Sequence, residues 1–205
     1  MTARSARDDS GRGLPAFGDR RRGRIGLLGG SFNPAHGGHL HISREALKRL
    51  RLDQVWWLVS PQNPLKDARG MAPLAQRLSA AQRIAAHPDI LVSDVERELG
   101  TVRTAQTLAA LTRRYPNLAF VWLMGADNLA QMPQWWRWTR IFRTSCVAVF
   151  DRSPYSYRAL AGAAAARFKK ARVRSLWRQK PPAWTYVAVR RHPGSATALR
   201  RSARY

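Results

Sequence analysis

From Arg24 to Val189 short, almost unbroken apolar runs alternate with longer amphipathic stretches. The runs are RIGLLG, QVWWLVS, DILVSD, NLAFVWLMG, SCVAVF and AWTYVAV. A strand that is apolar at nearly every position must be covered on both faces, and that is the mark of a parallel sheet with helices on either side. The stretches between have helical spacing. Gly38 to Leu50 brings Leu40, Leu47 and Leu50 to one side, and PLAQRLSAAQRIAAH and TAQTLAALTRRYP are amphipathic. A Trp-rich helical segment precedes the fifth strand, YRALAGAAAARFKKARV reads as one helix, and SATALRRSA as a short last one. The expectation is an α/β chain with a doubly wound parallel sheet. Ligands in such sheets bind beyond the carboxyl ends of the strands, near the switch point.

At 205 residues this is one domain with a full core, expected over 23–205. Residues 1–22 are polar and rich in Arg and Gly without periodicity, and are expected to form a disordered basic extension. No run approaches the ~20 apolar residues that span a bilayer, and the N-terminus has no apolar signal core. Cys146 is the single cysteine. That excludes a disulfide framework or a Cys-based zinc site and suits a reducing cytoplasm. Lys and Arg number 36 against 12 Asp and Glu, and no acid follows Asp151. Such a surface attracts polyanions, but charge alone does not separate a nucleic-acid binder from a nucleotide enzyme.

The stretch GGSFNPAHGGH, residues 29–39, follows the first strand. Gly29 and Gly30 let backbone approach a ligand, Ser31 and Phe32 follow with main-chain N–H groups, and Pro34 stiffens the turn. The loop enters a helix N-terminus, which favours an anion, and His36 and His39 add ring donors there. The pattern is neither the dinucleotide fingerprint nor a P-loop, and no carboxylate or thiol stands nearby to complete a metal shell. Near the C-terminus, Ser195 and Thr197 open a helix with Arg200 one turn on, a second anion site.

GGSFNPAHGGH resembles the signature of the nucleotidylyltransferase superfamily and, within it, the bacterial nicotinate-nucleotide adenylyltransferases. Three further stretches carry the resemblance: NPLK (Asn63 to Lys66), GADNLAQMPQWWRW (Gly125 to Trp138) and SATALR (Ser195 to Arg200). It implies a Rossmann-like, three-layer α/β/α nucleotidylyltransferase fold. It implies that AMP passes from ATP to nicotinate mononucleotide, giving deamido-NAD and pyrophosphate. His36 and His39 would be catalytic. Gly29, Gly30, Ser31, Phe32, Lys66, Ser195, Thr197 and Arg200 would hold ATP. Thr104, Asp127 and Trp135 would hold the nicotinate nucleotide, with the ring on Trp135 and its carboxylate near Thr104. Mg²⁺ would arrive with ATP rather than in a protein cage. One departure stands out, Val102-Arg103 where the family commonly has Ser-Tyr.

The rivals are a pantetheine-phosphate adenylyltransferase, which lacks the Trp-rich segment, and a basic RNA-binding protein, for which no aromatic sheet motif speaks. ATP and nicotinate mononucleotide are thus the expected partners, with no membrane and no nucleic acid. A homo-oligomer is left open.

Overall fold

Six strands pair edge to edge in parallel in the computed structural model, which describes residues 14–16, 18–61, 70–151 and 155–190. In chain order they are β1 (Gly23–Gly30), β2 (Gln54–Val59), β3 (Ile90–Ser93), β4 (Leu118–Gly125), β5 (Cys146–Phe150) and β6 (Trp184–Val187). Their spatial order is β3-β2-β1-β4-β5-β6, the doubly wound arrangement. The order reverses between β1 and β4, where Leu28 lies opposite Leu123. The helices are α1 (Gly37–Leu50), α2 (Leu74–Ile84), α3 (Val95–Glu98), α4 (Thr104–Arg114), α5 (Ala126–Gln131), α6 (Trp138–Thr144), α7 (Ser156–Leu160) and α8 (Ala163–Arg167).

Strand side chains alternate between two cores, as a period of two requires. Leu27, Trp56, Trp122 and Val147 join one with α4, α5 and α6, while Leu28, Trp57, Leu123 and Ala148 join the other with α1 and α2. All eight are at most 6% exposed, which is why the strands read as continuous apolar runs.

Three expectations are corrected. The helix expected over YRALAGAAAARFKKARV is broken into α7, α8 and a 3₁₀ turn, Lys169–Ala171. Gly162 is extended (φ −78°, ψ 166°) and opens α8 as its N-cap, so helical periodicity on both sides hid a turn. A short helix, α3, fills what looked like a simple link from β3 to α4. And the segment expected to hang free up to residue 22 docks over its described part. Leu14 packs on the core, the Tyr115 hydroxyl donates to the Pro15 carbonyl (2.7 Å), and the Asn117 amide donates to the Arg20 carbonyl (3.3 Å). One leucine and main-chain carbonyls suffice for that docking, and composition does not reveal it. Among the described residues no helix is long and apolar enough to cross a membrane.

Candidate active site

β1 ends against the indole of Trp122 on the neighbouring strand. A Cβ built on Gly29 would lie 2.4 Å from Trp122 Cη2, so only glycine lets the loop lie this close to β4. Phe32 then turns the chain with φ 46°, a left-handed conformation unusual for a bulky residue. Its ring compensates by burial, 2% exposed and stacked on Trp57 at 5.1 Å, with His39 at 4.7 Å. Phe32 therefore anchors the loop through its side chain and can offer a ligand only its main chain.

His36 is the N-cap of α1, and its Nδ1 accepts from the Gly38 amide (3.1 Å). His39, one turn on, accepts at Nδ1 from the His36 amide (3.2 Å), which closes a capping box made of two imidazoles. The rings lie 3.9 Å apart. Because both Nδ1 atoms accept, each neutral ring carries its proton on Nε2. The helix start thus fixes two N–H donors in one tautomer.

A cleft of about 230 Å³ opens beyond the strand ends at the switch point. Gly29, Gly30 and Ser31 line it together with Thr104 and Trp135, so residues of the two groups expected from sequence meet in one cavity. Phe32, His36 and His39 follow directly along the loop into the start of α1 and are not themselves part of this lining. Asp127 lies in the first turn of α5, and its neighbour Asn128 lines the cleft in its place. Lys66, Ser195, Thr197 and Arg200 lie outside the described residues. Of the tryptophans, Trp138 packs edge-on to Phe142 and Phe168 in the core. Trp136 is 37% exposed at the mouth, with the Arg103 and Arg137 guanidinia 5.5 and 4.5 Å from its ring.

Residues 27–202 match the cytidylyltransferase-like family. A Cereibacter sphaeroides protein named "Probable nicotinate-nucleotide adenylyltransferase" is 52% identical over 183 residues, 88% of this chain and 98% of that one. A Methylorubrum extorquens protein of the same name is 50% identical over 86% of this chain and 98% of its own. The chain belongs to the nicotinate-nucleotide adenylyltransferase family. Among solved structures, the Plasmodium falciparum nicotinic acid mononucleotide adenylyltransferase complexed with NaAD shares the fold, with a TM-score of 0.67 over 88% of this chain and 83% of that one, at 14% identity.

Two features of this adenylyltransferase-family cleft are set by the fold. Thr104 stands at the start of α4 as expected, as its first helical residue with Arg103 as the N-cap, and the Arg103 guanidinium lies over the Trp136 ring. The other is Glu96 of α3, 7% exposed in the cleft wall. It accepts from the Thr107 hydroxyl (2.9 Å) and from Ser60. Desolvation pushes its carboxyl above the usual glutamate range, and the two hydrogen bonds, which favour the carboxylate, offset this only in part. Only the unexpected short helix carries this acid to the cleft.

With a raised folded-state value, the stability that Glu96 contributes is fully present below the ordinary glutamate range and is lost as pH rises through the raised value. Glu96→Gln keeps an acceptor for Thr107 and cannot ionise. The wild type is therefore expected to lose urea midpoint relative to this variant as pH rises above the ordinary glutamate range. A wild-type-minus-variant difference that stays flat as pH rises from below that range to above it would refute the assignment.

Proposed function

We propose that this chain is a cytoplasmic enzyme that transfers AMP from ATP to nicotinate mononucleotide, releasing pyrophosphate. The observation that carries the reading is one cleft lined both by the glycine loop and by Trp135 with the start of α4. A triphosphate suits the loop, a flat heterocycle suits the indole, and a carboxylate suits the helix N-terminus. The indole wall argues against a pantetheine substrate, which offers no ring to stack.

The mononucleotide's 5′-phosphate oxygen forms a bond to the α-phosphorus as the bond to the bridging α–β oxygen breaks, and pyrophosphate leaves with that electron pair. A phosphate monoester has a second pKa near ~6, so the nucleophile is ionised without a general base. What the protein supplies is alignment and neutralisation of charge. In this reading the triphosphate runs from the cleft along the loop to the start of α1, where the Nε2–H groups of His36 and His39, with the amides of Ser31 and Phe32, are the donors suited to the oxygens where charge builds. Mg²⁺ enters bound to the triphosphate as part of the substrate. The lone acid in the described cleft wall, Glu96, is already engaged by Thr107 and Ser60. Lys66, Ser195, Thr197 and Arg200 complete the triphosphate grip in this reading.

Pyrophosphate release from ATP with nicotinate or nicotinamide mononucleotide tests the reading. Nicotinate mononucleotide is expected to be favoured by at least ~10-fold in kcat/KM, because amides at a helix start and the Arg103 guanidinium prefer an anion to an amide. Trp135→Ala is expected to weaken both substrates and keep their ratio, since a stacking wall treats the rings alike. Equal efficiencies with the two mononucleotides would sink the assignment.

A further inference from the structure

Beneath the glycine loop lies a charge for which the reaction described so far has no task. Arg77, on α2, is 3% exposed. Its guanidinium donates to four main-chain carbonyls: Nε to Ala72 (2.9 Å), one terminal nitrogen to Ser31 (2.8 Å) and Ser60 (2.7 Å), the other to Pro61 (3.0 Å). Among the described residues no carboxylate pairs with it. A guanidinium keeps its proton, so among the described residues this is a buried cation held by dipoles alone. Such a charge is costly unless something else compensates it.

Its bonds also decide which way the loop's peptide groups face. In a trans peptide the C=O and the following N–H point in opposite directions. The Ser31 carbonyl turns in to Arg77, so the Phe32 amide turns out. The Gly30 carbonyl accepts from the Ser60 amide (2.9 Å), so the Ser31 amide likewise turns away from β2. Arg77 holds Ser60 as well, and so grips both strands of this arrangement from below. Two consecutive amides, each turned from the group that holds the preceding carbonyl, are the elements from which a nest for an anion is built. An anion seated there would also be a countercharge for Arg77, which has none among the described residues.

We propose that Arg77 is a positioning residue for the triphosphate of ATP: it aims the Ser31 and Phe32 amides outward and supports the bound anion with its own charge from beneath the loop. The proposal rests on the ATP-dependent reading above and deepens it, naming the group that shapes the phosphate grip without touching the substrate.

The full-length wild type, Arg77→Lys and Arg77→Met test it through two binding constants, for inorganic tripolyphosphate and for nicotinate mononucleotide, measured calorimetrically, together with KM for ATP. Lysine keeps the charge but loses the planar fork, so Kd for tripolyphosphate and KM for ATP are expected to rise ~10-fold, with nicotinate mononucleotide affinity within about twofold. Methionine removes the charge as well, and a ~100-fold rise is expected. Equal loss for both ligands would mark a purely structural role and overturn the proposal, as would an unchanged tripolyphosphate affinity. If neither variant folds even at low temperature, Arg77 is a determinant of the fold and the proposal falls. Tripolyphosphate binding that depends on Arg77 in an enzyme that makes no product from ATP and nicotinate mononucleotide would uphold the proposal and remove the substrate assignment instead.

Discussion

Gly29→Ala is expected to lower kcat/KM at least ~100-fold, the scale on which reacting groups misplaced by about 1 Å lose rate. The added methyl carbon would sit 2.4 Å from Trp122 Cη2 and 3.2 and 3.3 Å from the next two ring carbons. Trp122 is 3% exposed in the middle of the sheet and cannot swing aside, so the loop must move outward. Overpacking of this kind destabilises by about 1–3 kcal/mol, which should also appear as a lower melting temperature. Gly30→Ala is the internal comparison. Its added carbon meets the Phe32 ring at 3.6 Å, an ordinary contact, and it should melt with the wild type. In Gly29→Ala/Trp122→Phe the benzene half of the indole is gone, and part of both losses should return. A Gly29→Ala enzyme with turnover within tenfold of wild type and an unchanged melting temperature would show that the loop has slack.

The second large effect belongs to His39. Its imidazole both caps α1, by accepting from the His36 amide, and carries an Nε2–H donor, so alanine would remove two things at once. Glutamine separates them. At the third position of a helix it can reach back to the N-cap amide as histidine does here. His39→Gln is expected to keep its melting temperature while kcat falls by roughly 10²–10³, the range for loss of one charge-stabilising donor. His39→Ala should show the same fall in kcat together with a capping loss of about 0.5–2 kcal/mol. Near wild-type kcat in His39→Gln would remove the histidine from the chemistry and leave it a cap.

The sequence by itself was enough for the layers, the strand number and the place of the glycine loop. Apolar runs such as QVWWLVS allow no arrangement but a sheet covered on both faces, and that choice locates ligands at the strand ends. The paired histidines were legible for the same local reason, since they stand where a strand gives way to a helix. Their tautomer was not, because it depends on which amides the helix start leaves unpaired. The resemblance singled out Trp135, but Trp136 and Trp138 could not be told apart from sequence. Their roles follow from what lies across from each: Phe142 and Phe168 for Trp138, the cleft for Trp135, two guanidinia for Trp136.

Glu96 and Arg77 mark where local reasoning stops. In sequence each is a charged residue on a polar stretch, of the sort that ordinarily faces water. Burial of a charge is decided by partners from distant segments, here Thr107 and Ser60 for the acid and the carbonyls of Ser31, Ser60, Pro61 and Ala72 for the cation. Ser60 serves both, its carbonyl held by Arg77 and its side chain bonded to Glu96. Pattern and propensity are properties of neighbours along the chain, and they sufficed for the sheet and the phosphate loop. The polar support under that loop joins α2, β1, the end of β2 and α3, and it exists only once tertiary packing has closed water away from all four.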